Sequence, residues 1–270
     1  MLSRLERERY LRHIMLEDVG EEGQLKLLKS SVLVVGAGGL GSAVLMYLCT
    51  AGIGKIGIVD FDVLNMSNLQ RQIIHSQDFL NQSKASSAKA HLKQLNAGIE
   101  IEIFKERFKA HNALSLIKPY DFIIDATDNF NAKFLINDAC VLAQKPYSHA
   151  GVLKYRGQSM SVLPNSACLA CVFDKPPKKG LNPISGLFRV LPGVLGCIQA
   201  SECLKYFLGF ETLLINTLLI NTLLINTLLI NTLLIADIKT MDFKKIQAPK
   251  NPACRVCGTH KITHLQDYEI

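Results

Sequence analysis

The sequence lacks a basic run and an apolar signal core, and both absences narrow its possible functions. The formal net charge is +7, but the 30 Lys and Arg residues do not gather into a stretch that could follow a nucleic-acid backbone. This distribution favours small anionic ligands over nucleic acid. Residues 1–6 alternate charged and apolar side chains, so we expect no secretion and a cytoplasmic protein.

The eight cysteines are then expected to be thiols or metal ligands rather than disulfides. Four of them form two C-x-x-C pairs, Cys168 with Cys171 and Cys254 with Cys257, and each pair follows a turn that contains proline. Four thiolates at this spacing predict a closed tetrahedral zinc site that joins distant parts of one domain. Unligated or redox-active thiols are the alternative.

A nucleotide-binding pattern occupies residues 31–41. A run of β-branched and apolar residues predicts a buried strand, and a G-x-G-x-x-G loop with one additional glycine follows it: Gly36, Gly38, Gly39 and Gly41. An apolar helical segment opens directly behind the loop, so its free N–H groups can face a phosphate. Asp60 and Asp62 follow the next apolar strand, where an acid can bind ribose hydroxyls. The loop alone does not identify the nucleotide.

Strand and helix patterns alternate along the rest of the chain. They predict an α/β fold with a doubly wound, mostly parallel Rossmann-like sheet, whose later strands are mixed or antiparallel. One helix is predicted over residues 6–30. We expect a single domain over residues 1–258 and a C-terminal tail over residues 259–270.

A tandem repeat interrupts this pattern. The unit Thr-Leu-Leu-Ile-Asn occurs four times over residues 212–231, and a fifth Thr-Leu-Leu-Ile begins at Thr232. A five-residue step forms no clean apolar face in a helix or in a strand. The Asn and Thr residues also argue against a membrane span. We therefore expect a surplus insertion over residues 212–231.

Several motifs, taken in order, carry a resemblance to a known family. They are Arg9-Tyr10-Leu11-Arg12-His13, the glycine loop, Asp60-Phe61-Asp62, Ser67-Asn68-Leu69-Gln70-Arg71-Gln72, Lys84, Thr127-Asp128-Asn129 and the two C-x-x-C pairs. The chain resembles the E1-like (ThiF/MoeB/HesA) superfamily over residues 4–258. These bacterial adenylyltransferases activate ubiquitin-like sulfur-carrier proteins in molybdopterin and thiamine biosynthesis.

The resemblance implies that ATP occupies the glycine loop and that a MoaD-like or ThiS-like carrier is adenylated at its C-terminal glycine. It places Gly39 near the phosphates, Asp60 on the ribose, and Lys84 along the α-phosphate. The remaining nucleotide-site candidates are Asp62, Ser67, Asn68, Arg71, Asp128 and Asn129. In that family pattern Arg71 clamps phosphate, Asn68 orients it, and Asp128 holds Mg²⁺. The four cysteines hold Zn²⁺ at a separate structural site. Arg12 reaches the ATP of a second copy, which implies a homodimer.

Two departures from the family pattern limit the prediction. Asn182 stands where some members carry a cysteine that bonds to the carrier, so a thioester relay is not expected and an external sulfur donor is possible. The repeat lies where relatives have one apolar strand, which the last copy with Ala236 and Asp237 can supply. An NAD(P)-dependent Rossmann oxidoreductase and a non-catalytic dimeric scaffold inactivated by the repeat are the alternatives.

Overall fold

One eight-stranded sheet runs through the computed structural model, which describes residues 1–176, 186–210, 228–259 and 261–268. The strand order is β3-β2-β1-β4-β5-β6-β7-β8, and the first five strands in that order are parallel. The last three add on antiparallel. The strands are β1 Ser31–Val35, β2 Lys55–Val59, β3 Glu100–Phe104, β4 Phe122–Asp125, β5 Tyr147–Leu153, β6 Arg156–Val162, β7 Thr232–Asp237 and β8 Asp242–Gln247. The predicted fold class is confirmed.

Helices cover both faces of the parallel half. They are α1 Arg4–Arg9, α2 Leu11–Ile14, α3 Gly20–Lys29, α4 Gly39–Ala51, α5 Lys84–Leu95, α6 Ala110–Ile117, α7 Phe130–Leu142, α8 Leu169–Val172 and α9 Leu191–Leu208. In β1, Val32 and Val34 pack against α4, α5 and α9, while Leu33 and Val35 pack against α6, α7 and α8. Both faces of β1 are therefore apolar, as a central parallel strand requires. No helix in the described ranges has the length and apolar character that crossing a membrane needs.

The register brings three strand ends to the same edge of the sheet. Val35 is paired with Val59 of β2 and with Asp125 of β4. The residues after these strands lie side by side, at the point where the chain leaves β1 in one direction and β4 in the other. Open α/β sheets bind ligands at such a crevice.

The single helix expected over residues 6–30 is wrong. The structure has three helices there, with breaks at Tyr10 and between Met15 and Val19. Tyr10 is buried and its hydroxyl accepts a hydrogen bond from Asn96 Nδ2 at 3.0 Å. This contact with the end of α5 requires the chain to turn rather than continue as one straight helix.

The last copy of the repeat forms β7, but the fold also uses the end of the copy before it. Leu228 and Leu229 are buried, and the Leu229 N–H donates to a carboxylate oxygen of Glu202 at 2.6 Å. Asn231 has a φ of +50°, and its side-chain oxygen accepts from the Ala167 N–H at 2.8 Å. Residues 228–231 are thus part of the structure, and the surplus predicted over 212–231 extends too far. Residues 211–227 lie outside the described residues.

Candidate nucleotide and metal sites

A cavity of about 370 Å³ opens at the edge where β1, β2 and β4 end. Nine of the residues predicted to bind nucleotide line it: Gly36, Gly38, Gly39, Asp60, Asp62, Arg71, Lys84, Asp128 and Asn129. Gly41, Ser67, Asn68 and Arg12 do not. The topology therefore assembles most of the predicted site from five separate segments of the chain.

The glycine loop has the conformation that its glycines predict. Gly36 has a φ of +104°, and a Cβ there would lie 2.6 Å from the carbonyl oxygen of Ala126. A Cβ on Gly41 would overlap the carbonyl oxygen of Gly36, so Gly41 serves close packing rather than ligand contact. Helix α4 begins at Gly39 without a side-chain cap, which leaves its first N–H groups free of intrahelical partners. These groups and the helix dipole favour an anion.

Asp60 and His75 fix the glycine loop through hydrogen bonds to the backbone of Ala37. One Asp60 oxygen accepts from the Ala37 N–H at 2.7 Å, and burial raises the pKa of this carboxyl group. The Nε2 atom of His75 lies 2.9 Å from the Ala37 carbonyl oxygen, and its Nδ1 lies 2.9 Å from the Ser87 hydroxyl. Burial lowers the pKa of His75, so a neutral ring donates to the carbonyl and accepts from the hydroxyl. His75 has no signal in the sequence, because its partners lie 12 and 38 residues away.

Two cations reach the phosphate end of the cavity in different ways. Lys84 opens α5 with a buried side chain, and its Nζ donates to Asp62 Oδ2 at 2.9 Å. Arg71 packs beside Gly39 and donates to the Ser67 carbonyl at 3.3 Å. Within the described parts of the chain, no carboxylate lies within ion-pair distance of Arg71. Its charge is therefore available for an anion.

Two amide oxygens in the cavity wall are buried and have no hydrogen-bond partner among the described residues, namely those of Gln72 and Asn131. A buried polar atom without a partner costs about 1–3 kcal/mol, so both positions fit a cavity that takes a polar ligand. Gln72 belongs to a motif of the sequence but had no predicted role, and nothing in the sequence marks Asn131. With the glycine loop and Arg71, they form a donor and acceptor set suited to a nucleotide.

A buried network supports the turn that carries Asp128. Asp125 accepts from the Thr127 hydroxyl at 2.7 Å and from His149 Nδ1 at 2.7 Å, and Lys133 Nζ lies 3.2 Å from both of its oxygens. Burial opposes ionisation, but the Lys133 ammonium and the His149 hydrogen bond lower the pKa of Asp125 to about 2. Burial lowers the pKa of His149. Asp128 itself is exposed at the cavity, and Asn129 caps α7.

The four C-x-x-C cysteines meet in one cluster, with all four sulfur atoms within 4.8 Å of one another. The distance is 3.7 Å between the Sγ atoms of Cys168 and Cys254, and 3.4 Å between those of Cys171 and Cys257. A tetrahedral site with Zn–S bonds of about 2.3 Å has S–S edges of about 3.8 Å. Burial and the neighbouring sulfurs raise the pKa of Cys168. The cluster fits zinc.

The remaining predicted site residues lie away from the cavity surface. The Ser67 carbonyl accepts from Arg71, and Asn68 Oδ1 accepts from the Asn65 N–H at 3.0 Å, so both shape the loop that carries Arg71. Arg12 is exposed on α2. Asn182 lies outside the described residues.

The sequence matches the model of the ThiF family over residues 10–256. The chain belongs to the ThiF family. The resemblance inferred from its motifs is therefore confirmed, and the match covers the glycine loop, the predicted phosphate contacts and all but the last residue of the cysteine cluster.

Relatives of this ThiF-family chain carry names that agree with one another. It is 38% identical over 275 residues to the sulfur carrier protein adenylyltransferase of Thermus thermophilus, covering 98% of this chain and 96% of that protein. It is 41% identical over 204 residues to the SAMP-activating enzyme E1 of Haloferax volcanii, covering 74% and 76%. It is also 38% identical over 266 residues to the adenylyltransferase and sulfurtransferase MOCS3 of Anopheles gambiae. That match covers 97% of this chain but only 57% of MOCS3.

Solved structures share the fold. E. coli MccB, crystallised with succinimide, superposes with a TM-score of 0.79 at 21% identity, covering 96% of this chain and 75% of MccB.

Proposed function

We propose that this protein adenylates the C-terminal glycine of a ubiquitin-like sulfur-carrier protein, MoaD-like or ThiS-like, with ATP as co-substrate. One observation carries the proposal: the Arg71 side chain packs beside Gly39, at the free N-terminus of α4, and its guanidinium has no acidic partner among the described residues. The name of the Thermus relative supports the choice of a sulfur carrier. Molybdopterin and thiamine biosynthesis are the two candidate pathways.

In the proposed reaction a carboxylate oxygen of the carrier's C-terminal glycine attacks the α-phosphorus of ATP. The new O–P bond forms as the bond from the α-phosphorus to the bridging oxygen breaks, and pyrophosphate leaves. The carboxylate has a pKa of about 3.5 and is already ionised, so no general base is required. Catalysis then depends on positioning and on neutralising negative charge, which Arg71, Lys84 and the first turn of α4 can do.

Mg²⁺ fits this site through Asp128. Its carboxylate is exposed at the cavity, and the Asp125 network holds the preceding residue, Thr127, in place. Carboxylate oxygens are ligands that Mg²⁺ prefers. When bound, the ion supplies charge neutralisation to the phosphates. Lys84 remains paired with Asp62, so that pair must open or share its proton donors with phosphate.

We assign zinc to the cysteine cluster as a structural ion. The four sulfurs come from two segments more than eighty residues apart in the sequence, and the cluster lies among the apolar side chains of one sheet face. A closed set of four thiolates leaves no position for a substrate. We also place the enzyme in the cytoplasm, where zinc–thiolate sites are common.

A homodimer accounts for Arg12. This arginine is exposed and does not line the cavity of its own chain. Leu11, Met15 and Leu16 beside it are each more than half exposed, which is unusual for three neighbouring apolar side chains. We propose that this surface contacts a second copy and brings Arg12 to the partner's nucleotide.

The test is ATP–pyrophosphate exchange in the presence of each candidate carrier. Arg71→Ala should lower the exchange rate by about 10²-fold or more, because a charge partner of the transition state is lost. Lys244→Ala is the matched control, since it removes one exposed positive charge on β8, away from the cavity. If Arg71→Ala catalyses exchange at the same rate as the unmodified protein, this arginine does not hold phosphate.

Thermal unfolding and exchange assays on the unmodified protein distinguish the two alternative functions. An NAD(P)-dependent oxidoreductase should be stabilised against heat by NAD⁺ rather than by ATP, because only a ligand that binds the folded state raises the unfolding midpoint. A non-catalytic scaffold should give no exchange with either carrier, whatever its nucleotide affinity.

A further inference from the structure

Residues 261–268, which follow the second C-x-x-C pair, pack against the rest of the domain. The Ile262 N–H donates to the Val256 carbonyl at 3.3 Å, and three apolar side chains pack against the α6–α7 face of the sheet: Ile262, Leu265 and Tyr268. Residues 261–268 lie beyond the match to the family model, which ends at residue 256. The family description therefore does not account for what this segment does.

The end of the segment forms part of the nucleotide cavity. Asp267 and Tyr268 both line it. Asp267 Oδ1 accepts from the Ala110 N–H at 2.9 Å, at the start of α6, and its Oδ2 lies 3.8 Å from Lys109 Nζ. The Tyr268 ring packs on Phe134 with 5.7 Å between centroids, and its hydroxyl donates to Asp138 Oδ2.

The sheet order locates this wall relative to a bound nucleotide. The phosphate-binding loop follows β1, the acids suited to ribose follow β2, and β3 is the next strand in the same direction. A nucleotide that runs from phosphates to ribose along this edge must place its base toward the residues after β3. Those residues, 106–109, line the cavity together with Asp267 and Tyr268.

We infer that Asp267 and Tyr268 form the nucleobase wall of the site and that the Asp267 carboxylate selects adenine over guanine. Its Oδ2 has lone pairs left beyond the distant Lys109 contact, and a carboxylate only accepts hydrogen bonds. The exocyclic amine of adenine is a donor at the position where guanine carries an acceptor oxygen. Tyr268, anchored to α7, keeps the segment in place. This inference rests on the proposed nucleotide binding.

The test is calorimetric titration with ATP and with GTP in the absence of any carrier. Asp267→Ala should raise the Kd for ATP about tenfold, equivalent to about 1.4 kcal/mol. Asp267→Asn keeps an acceptor for the Ala110 N–H and adds a donor that suits guanine. It should therefore retain the unfolding midpoint and reduce the ratio of the GTP Kd to the ATP Kd at least fivefold.

Gln266→Ala is the matched control, because Gln266 is exposed and does not line the cavity. An unchanged GTP-to-ATP ratio in Asp267→Asn would overturn the inference, as would an equal effect of Gln266→Ala. If the unmodified protein binds ATP but shows no carrier-dependent exchange, the proposed function fails and the nucleobase wall stands. If the unmodified protein does not bind ATP, both fail.

Discussion

Deleting three units of the tandem repeat should leave the fold intact, whereas deleting four units should prevent stable folding. Because the units are identical, every three-unit deletion gives the same polypeptide, which we write as removal of residues 212–226. That protein keeps one complete unit before β7, and this unit can take the place of residues 227–231. Removal of residues 212–231 leaves none. The surplus is therefore proposed to be three units, or fifteen residues.

The contacts of residues 228–231 set the size of the difference. Burying Leu228 and Leu229 stabilises the fold by about 1.5–3 kcal/mol each. The hydrogen bonds of Leu229 to Glu202 and of Asn231 to Ala167 add about 1 kcal/mol each. The four-unit deletion thus loses about 5–8 kcal/mol, which is comparable with the whole free energy of unfolding of an ordinary domain.

Thermal unfolding and exchange activity should be measured for deletions of two, three and four units. We expect the first two to fold with full activity and the third to unfold or aggregate. The shorter proteins should also be more soluble, because Leu-Leu-Ile runs without charge or proline favour intermolecular strand pairing. A four-unit deletion as stable as the full chain would refute the role assigned to residues 228–231. If the three-unit deletion does not fold, the proposal that three repeat units are dispensable is wrong.

Three further predictions concern the metal, the pH dependence and the covalent chemistry. Purified protein should contain one zinc per chain, and Cys257→Ser or chelation should lower the unfolding midpoint; protein isolated without chelator that contains no zinc would contradict this. Burial lowers the pKa of His75 and of His149, so below about pH 6.5 the unfolded state binds more protons than the folded state. The free energy of unfolding should therefore fall on acidification, by up to about 1.4 kcal/mol per pH unit for each histidine. His149→Gln should flatten the dependence of the unfolding midpoint on pH between 5 and 7. The resemblance aligns Asn182 with the cysteine position of some family members, so we expect mass spectrometry to detect carrier adenylate and no thiol-sensitive adduct between enzyme and carrier.

Much of the nucleotide site follows from short-range sequence patterns. About 30 residues contain the β-branched run of β1, the glycine loop and the acids after β2. Parallel pairing of β1 with β2 then places the carboxyl ends of both strands on one edge of the sheet. The cysteine cluster was also predictable, because ligand type and spacing suffice for its chemistry even though the two pairs are distant.

The rest depends on contacts between distant residues that periodicity does not encode. His75 reaches back to Ala37, and Asp267 reaches Ala110 across 157 positions. The break at Tyr10 has the same origin, since its partner Asn96 ends a helix 86 residues later. The repeat boundary was misplaced because identical units give no sequence signal for which copy is packed.

The cysteine cluster and the nucleotide cavity are connected through Arg255. This residue lies between Cys254 and Cys257, so the position of its backbone depends on the cluster. Its guanidinium lies 5.4 Å from the centroid of the Tyr268 ring and 3.7 Å from Asp138 Oδ2, to which the Tyr268 hydroxyl also donates. A metal that fixes the two C-x-x-C turns therefore also fixes Arg255 against the residue that anchors the cavity wall. The proposed zinc would then do more than join two chain segments, because it would also fix the geometry at the proposed nucleobase end of the cavity.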